Sequence, residues 1–310
     1  MISYLTHKQI NKRKWDECIS SSVNGRIYAY SWYLDIMADN WDALVLDNFQ
    51  AVFPLPFRKK LGVYYVYQPV FTQQLGLFSK IQLSPQLIID FLNHIPKHFK
   101  FVNLNLNQHN CIYGNTVNHE VRKNIEMDLI SEYQLIKANY STNLKRNLKK
   151  AQAAKLTVFE NLRPESVIQL FQANKGKQIN VYAEDDFKRL LRLIYKGMHM
   201  KHVEVWGIFS SENNLCAAAI FLRSHRRITF LFSGANEYAV QNAALPYLLD
   251  AYIEANSERE LIFDFEGSNI ESLARFYLGF GSQPISYSQI KWIRTSSLLK
   301  PVFSSYLYFR

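Results

Sequence analysis

Two acidic side chains, Asp264 and Glu266, stand close together in the segment LIFDFEGS. Because alternate residues of a β-strand point to the same face, a strand here places both carboxylates on one face. Phe263 and Phe265 then anchor the opposite face in the core. A carboxylate at an open sheet edge can accept a proton from an attacking nucleophile, so either residue is a candidate general base. The structural alternative is that they cap the next helix or pair with Arg275.

The strand and helix before this segment, ITFLFSGAN and NAALPYLLDAYIEANSE, form a second candidate feature. Gly234 permits a bulge or splay that frees backbone N–H groups near the end of the strand. The helix that follows presents its positive N-terminus to the same edge, which favours negative charge there. We therefore predict that backbone N–H groups of Ser233, Gly234, Ala235 and Asn236 contact a developing oxyanion. The structural alternative makes Asn242 the N-cap of an ordinary core helix.

Positive charge is the next signal, since the chain carries a formal net charge of +10. Much of it lies in residues 137–163 and 188–202. The first cluster falls on a basic helix predicted from Tyr133 to Lys155, whose cations form i,i+4 rows of Lys145 with Lys149 and Arg146 with Lys150. Clustered cations favour a polyanionic partner such as nucleic acid, nucleotide phosphates or an anionic membrane. The alternative for each cluster is a solvated helix face.

Five further polar residues are candidates by position. Tyr287 and Lys291 share one face of the last strand, as an acid and a phosphate contact respectively. Arg58 closes a strand in the first half, and Gln73 and Gln74 follow the next strand, where they could hold the phosphates of an acceptor. The alternative for the first-half residues is a solvated hairpin turn.

Composition excludes several classes of protein. The three cysteines are far apart and odd in number, and His199 and His202 have no carboxylate or cysteine beside them, so we predict no metal site. No apolar run approaches the roughly 20 residues that span a bilayer. The N-terminus turns basic before any apolar stretch, which predicts no signal peptide and a cytoplasmic protein. The aromatic, basic tail SSLLKPVFSSYLYFR packs on the protein or lies on the inner membrane surface.

The order of predicted elements repeats. Each half reads β-α-α-β-β-β-α-β and ends with a closing strand, although the residues themselves barely repeat. A chain of 310 residues is also long for one core, which favours two domains. We predict a first lobe at 1–132, a second lobe with its basic linking helix at 133–298, and a tail at 299–310 that packs on the lobes.

That element order resembles the GNAT acyltransferase fold. Two such lobes in tandem resemble the Fem-type transferases that build peptidoglycan cross-bridges, within the wider acyl-CoA N-acyltransferase superfamily. Three stretches carry the resemblance: STNLKRNLKKAQAAKLTVFE, FDFEGSNIESLARFYLGFGSQPISY and AVFPLPFRKKLGVYYVYQPVFTQQLGLFS. It implies an α/β (α+β) fold of two GNAT-like lobes, each a mixed, mostly antiparallel sheet flanked by helices. The long coiled-coil arm found in some Fem-type proteins has no counterpart here.

The resemblance also implies an activity. It places the active site in the second lobe and the inter-lobe cleft, with the strand–helix junction at Ser233–Leu245 binding the acyl donor and with no metal or covalent cofactor. The donor-binding residues of this junction that the resemblance implies are Ser233, Gly234, Ala235, Asn236, Gln241, Asn242 and Ala244. Fem-type enzymes take the acyl group from aminoacyl-tRNA, whereas GNAT relatives use acyl-CoA. A GNAT donor loop reads Arg/Gln-x-x-Gly-x-Gly/Ala; this chain keeps Gln241 and Ala244, lacks the glycines, and has Pro246, which removes an N–H donor.

Three functions therefore stay open. The leading expectation is a Fem-like N-acyltransferase acting on the amine of a cell-wall or cell-surface precursor. The second is an acyl-CoA transferase acting on a small amine or an amino sugar. The third is a non-catalytic binding module on the same scaffold.

Overall fold

A computed structural model describes residues 1–112, 117–174, 182–267 and 269–294. The predicted tail at 299–310 lies outside these described residues. The chain divides into two compact units, which we call unit 1 (Met1–Arg122 with Ser286–Arg310) and unit 2 (Lys123–Ile285). Within the described ranges, no helix has both the length and the apolarity to cross a membrane.

The strands and helices of unit 1 follow the predicted order, with one additional strand of two residues at Phe78–Ser79. They are β1 (Ile2–Leu5), α1 (Lys12–Ser21), α2 (Ser31–Met37), β2 (Asn40–Leu46), β3 (Ala51–Lys60), β4 (Val63–Val66), β5 (Phe78–Ser79), α3 (Pro85–Asn93) and β6 (Phe99–Asn105), with β7 (His119–Asp128) running across the boundary into unit 2. Short 3₁₀ turns occur at His7–Gln9 and Ile27–Ala29. Helix α3 begins where its sequence indicates, because the Ser84 side chain accepts a hydrogen bond from the N–H of Leu87 and Pro85 occupies the first turn.

Unit 2 repeats the pattern. Its elements are α4 (Tyr133–Ala138), α5 (Thr142–Ala153), β8 (Thr157–Phe159), α6 (Pro164–Ala173), α7 (Glu184–His199), β9 (Val203–Phe209), β10 (Leu215–Ser224), β11 (Arg227–Ala235), α8 (Glu237–Gln241), α9 (Ala244–Asn256), β12 (Ile262–Asp264) and α10 (Glu271–Leu278), with β13 (Gln283–Ile293) running across the boundary into unit 1. Its core is aromatic, and Phe221 stacks on Tyr252 with ring centroids 3.6 Å apart.

The two units have the same strand order. In unit 1 the strands run β1-β2-β3-β4-β6, and in unit 2 they run β8-β9-β10-β11-β12. Neighbours pair antiparallel except for the last two of each series, where β4 with β6 and β11 with β12 are parallel. A helix, α3 or α9, connects each parallel pair. The predicted fold of two tandem GNAT-like lobes, each with a mixed and mostly antiparallel sheet, is confirmed.

The closing strands differ from the prediction. In unit 2, β12 pairs with β7, with Phe263 opposite Met127. In unit 1, β6 pairs with β13, with Gln289 opposite Asn105. Each closing strand thus comes from the other half of the chain, and the lobe boundaries at 132/133 and 298/299 stay a prediction. The apolar face of β7 explains why this strand pairs with β12, because Ile125 and Met127 are buried in the core of unit 2.

The predicted basic helix from Tyr133 to Lys155 is two helices, α4 and α5. The break falls at Ser141, whose side chain accepts a hydrogen bond from the N–H of Leu144 and so caps α5. The N–H of Ser141 donates to the carbonyl of Gly279 at 2.8 Å, which replaces the bond it would make inside a continuous helix. The periodicity of the sequence carried no sign of this interruption.

Candidate active site

The parallel pairing in unit 2 is short. The ladder between β11 and β12 runs from Arg227 opposite Ile262 to Thr229 opposite Asp264, and ends there. Strand β11 continues to Ala235, whereas the chain after β12 turns away at Glu266, whose φ of +51° is left-handed. The two strands therefore separate, and a cavity of about 710 Å³ lies beside residues 230–235 of β11.

Most of the cavity wall is apolar, and part of it is aromatic. The rings that line it belong to Phe171, Tyr182, Phe230, Phe232, Phe265, Phe276 and Tyr277. A smaller set of polar side chains is interspersed among them, namely Asn147, Lys150, Asn174, Ser233, Gln241, Glu266 and Ser272. An apolar pocket of this size with a few polar groups is the usual form of a small-molecule or substrate site.

Asp264 and Glu266 have different surroundings, which corrects the prediction that they share one face of a strand. Asp264 is 1% exposed and accepts a hydrogen bond from Arg227 at 3.2 Å, while Arg227 also pairs with buried Glu126 at 2.7 Å. The left-handed backbone at Glu266 ends the strand alternation, so its side chain is partly buried and lines the cavity. Asp264 also accepts the Glu266 N–H at 2.9 Å, which holds that turn in place.

Tyr277 adds a neutral donor to the cavity. Burial raises the pKa of its phenol well above the ordinary value, and the charge of Glu266 raises it further. The hydroxyl consequently keeps its proton at neutral pH and can donate a hydrogen bond. Its helix, α10, contributes Phe276 to the same wall. Tyr277 is not among the residues predicted from the sequence, although its i,i+4 relation to Leu273 is visible there.

Four of the seven predicted junction residues line the cavity: Ser233, Gly234, Ala235 and Gln241. The other three occupy neighbouring positions with local roles. Asn236 caps α8 by accepting the Ala239 N–H at 2.9 Å. Asn242 donates to the carbonyl of Tyr238 at 3.0 Å. Ala244 is fully buried at the start of α9.

Helix α9 begins differently from the prediction. The helix predicted from Asn242 begins at Ala244 as α9, and an unpredicted short helix, α8, precedes it. Ala243 precedes α9 in a left-handed conformation with φ +53°. Ala243 supplies no side-chain cap, so the first turn of α9 relies on other partners for its N–H groups. Leu245 and Pro246 of this turn line the cavity, which therefore meets the positive end of the helix. Pro246 has no N–H, so the first turn of α9 offers fewer donors to an anion than a glycine-rich loop does.

Gly234 serves packing rather than a bulge. The irregularity in β11 falls at Leu231, where the register with β10 shifts between Ile220 and Phe221. A Cβ at Gly234 would lie 2.4 Å from the carbonyl oxygen of Val167 in α6, closer than any real contact. The missing side chain lets α6 pack on the strand end, and α6 in turn supplies Phe171 to the cavity.

The basic helix contributes one cation to the cavity lining. Lys150 and Asn147 of α5 line it, whereas Arg146 donates to Asn143 at 3.3 Å. Lys145 donates to the carbonyl of Ala138 at 2.7 Å and so caps the C-terminus of α4. The sequence placed Lys150 in a basic row without distinguishing it, because the rotation of α5 relative to the sheet is set by its buried face.

The remaining candidates, Arg58, Gln73, Gln74, Tyr287 and Lys291, lie in unit 1. Arg58 pairs with Asp39 and lies over the ring of Tyr67. Gln74 is 1% exposed and accepts the Gln108 N–H at 3.0 Å, and it donates to Gln73. Tyr287 is 7% exposed, and the Lys291 carbonyl accepts from Asn118. The partners of the two glutamines give them structural roles, and the site function of all five residues stays a prediction. Across the described ranges, no three metal-ligand side chains converge.

Comparisons with known proteins bear on the fold. No protein-family profile matches the chain, and no curated protein matches it either. Among solved structures, FemX superposes with a TM-score of 0.68 at 10% identity, covering 97% of this chain and 99% of that one. The chain has a Fem-type, tandem GNAT-like fold.

Two more structures share that fold. The C-terminal domain of a putative lysylphosphatidylglycerol synthetase from Agrobacterium fabrum superposes with a TM-score of 0.60 at 9% identity, covering 94% of both chains. L-PGS from Bacillus licheniformis gives 0.55 at 13% identity, again over 94% of both chains. At such low identities the Fem-type likeness concerns the path of the backbone alone.

Proposed function

We propose that this protein is an N-acyltransferase that moves an acyl or aminoacyl group to an amine, in the manner of Fem-type enzymes acting on a cell-wall or cell-surface precursor. The observation that carries the proposal is the cavity of unit 2, where the opened β11–β12 ladder, Glu266 and the N-terminus of α9 meet. The reaction then takes place in the cytoplasm, at or near the inner surface of the membrane.

Glu266 is the proposed general base. The amine nitrogen attacks the acyl carbon, the carbonyl π-electrons move to the oxygen, and Glu266 accepts the proton that the nitrogen loses. Backbone N–H groups near Ser233–Ala235 and the first turn of α9 stabilise the oxyanion. As the carbonyl re-forms, the bond to the leaving group breaks, and the leaving oxygen or sulfur takes a proton supplied through Tyr277 or water. Asp264 acts as a positioning residue because it holds the Glu266 backbone.

The donor is proposed to be an aminoacyl-tRNA, bound with its phosphates toward Lys150. The first turn of α9 supports this choice, because Pro246 removes one of the N–H groups that would bind the pyrophosphate of CoA. The alternative donor is an acyl-CoA, with a small amine or an amino sugar as acceptor. The cavity lies beside β11, where its pairing with β12 has ended. This position favours acyl-CoA, since the resemblance to GNAT enzymes places their acyl donor at the junction between this strand and the next helix.

The test is a panel of donors and acceptors measured in two ways. Thermal shifts of the full chain are recorded with acyl-CoAs, aminoacyl-tRNAs and peptidoglycan precursors, since a ligand that binds the native state raises the melting temperature. Transfer of a radiolabelled acyl group is then measured for each donor and acceptor pair. We expect aminoacyl-tRNA to shift the melt and to support transfer. Binding of a ligand without transfer across the whole panel would instead indicate a binding module.

A further inference from the structure

The mouth of the unit 2 cavity carries exposed apolar side chains. Val240 of α8 is 69% exposed, Ile270 at the start of α10 is 64% exposed, and Leu273 of α10 is 36% exposed, yet all three line the cavity. Ile270, Leu273 and Tyr277 follow a helical i, i+3, i+7 spacing, with Tyr277 buried and the other two toward solvent. Adjacent exposed apolar residues at the rim of a pocket mark an interaction surface more often than scattered ones.

Cations lie at the same rim. Lys150 lines the cavity and is exposed, and Arg146, one helical turn earlier on α5, is exposed as well. Of the acidic residues at the mouth, Glu271 pairs with Arg275 at 3.0 Å, so its charge is offset, and Glu237 lies in the first turn of α8. We call Arg146, Lys150, Val240, Ile270 and Leu273 the mouth surface.

We propose that the mouth surface docks on an anionic phospholipid bilayer, so that the cavity opens toward the membrane. Exposed aliphatic side chains beside lysine and arginine are the combination that partitions to a negatively charged lipid surface, because burial of the apolar groups and attraction of the cations act together. The inference deepens the proposed function by presenting the acceptor from a membrane, and it is tested by binding alone, without donor or acceptor. Its failure would therefore leave the transfer reaction untouched.

The first experiment compares two double variants of the full chain in a vesicle sedimentation assay. Vesicles contain phosphatidylcholine alone or with phosphatidylglycerol. Val240→Ser/Ile270→Ser removes the apolar mouth, and Val121→Ser/Ile130→Ser removes the same residue types at 66% and 62% exposure elsewhere. We expect the first to lower binding to anionic vesicles about tenfold or more and the second to change it by less than about twofold. Equal losses in both would overturn the proposal.

A second pair covers the case in which the first variant fails to fold. Leu273→Ser and Leu278→Ser both lie on α10, at 36% and 41% exposure, and only Leu273 lines the cavity. We expect a loss of vesicle binding confined to Leu273→Ser. Identical binding of the two variants would contradict docking through the mouth.

The charge contribution is tested separately. Arg146→Ala/Lys150→Ala removes the two mouth cations, and Arg192→Ala/Lys196→Ala removes an exposed Arg/Lys pair of the same i,i+4 spacing on α7. Only the first should weaken binding to phosphatidylglycerol vesicles severalfold and flatten its dependence on salt. Equal binding of the wild-type protein to neutral and anionic vesicles, or no binding to either, would overturn the proposal.

Discussion

Unit 1 and unit 2 share a strand order but differ where the parallel pair of strands separates. In unit 2 the ladder ends at the Thr229–Asp264 pair and a cavity lies beyond it. In unit 1, β4 pairs with β6 as far as Val66 and Val102, and a later part of the chain makes a bridge between Leu75 and Leu106, the residue that follows β6. The gap in unit 1 is thus filled by the chain itself.

Buried asparagine side chains bind the segment around Leu75–Leu77, which occupies this gap. Asn110 accepts the Leu77 N–H at 2.7 Å, and the Leu77 carbonyl accepts from Asn24 at 2.7 Å and from Asn107 at 3.1 Å. The segment fits tightly, since a Cβ at Gly76, whose φ is +94°, would lie 2.3 Å from the Asn110 side chain. Side chains here replace the ladder hydrogen bonds that the separated strands no longer make. One strand order therefore supports a closed, structural junction and an open one that is available for chemistry.

The largest expected effect tests the open junction. Glu266→Gln is nearly isosteric and should lower the transfer rate by a factor of about 10² to 10⁴, as expected for a lost general base. Glu271→Gln is the matched control, because Glu271 is exposed and pairs with Arg275 on the same side of the cavity. The measurement is the single-turnover rate with the donor and acceptor found in the panel. A rate within a few-fold of wild type for Glu266→Gln would leave orientation in the cavity as the main catalytic contribution.

The next effect concerns the buried ion pairs of Arg227, one of which holds Asp264 beside the turn at Glu266. Arg227→Met leaves Glu126 and Asp264 buried without their shared cation, so the free energy of unfolding should fall by about 3–5 kcal/mol. Arg226→Met is its neighbour and control, since Arg226 is exposed and pairs with exposed Glu260, and about 0–1 kcal/mol is expected. Urea denaturation at neutral pH measures both. Similar small losses in the two variants would show that the buried pairs do not support the turn.

A smaller effect tests the closed junction. Asn110→Ala removes the acceptor of the buried Leu77 N–H and should lower the free energy of unfolding by about 1–3 kcal/mol. Because the junction of unit 1 is structural in this comparison, the transfer rate of the folded variant should stay at the wild-type value. Asn93→Ala, an exposed position at the end of α3, serves as the control. A loss of transfer without a loss of stability would assign unit 1 a direct part in the reaction.

The smallest effect is a pH dependence of the unfolding free energy, caused by Asp250 in unit 2. Burial raises the pKa of the Asp250 carboxyl above its ordinary value of 3.8, although Tyr133 donates to it at 2.9 Å. The Asp250 carboxyl thus keeps its proton to higher pH in the folded state than in the unfolded chain. The stability that this protonated carboxyl contributes is lost as the pH rises through its pKa in the folded state.

Asp250→Asn should remove this loss of stability at higher pH, because the amide does not ionise. The unfolding free energy of the variant relative to wild type should rise with pH above 3.8, by at most about 1.4 kcal/mol per pH unit, and then become constant. Urea denaturation over a series of pH values measures it. A difference that stays constant across the whole range would contradict the assignment.

The sequence by itself determined most of the order of the elements and several segments that line the cavity. Alternation and helical periodicity are local signals, so the predicted strand ITFLFSGAN and helix NAALPYLLDAYIEANSE lie close to the observed β11 (Arg227–Ala235) and α9 (Ala244–Asn256). The same local signals placed the strand–helix junction after Gly234 and the acidic segment around Glu266 in one predicted lobe, and both segments line the cavity.

Only the tertiary structure decided the rest. The pairing of β7 with β12 and of β13 with β6 depends on which apolar faces meet, and residues far apart in the chain settle that choice. The spacing of Asp264 and Glu266 did not distinguish their roles. Arg227, which is distant in sequence, donates a hydrogen bond to Asp264, whereas the left-handed backbone of Glu266 directs its side chain to the cavity. Ser141 divides the basic helix because Gly279 accepts its N–H, a partner that no local pattern could supply.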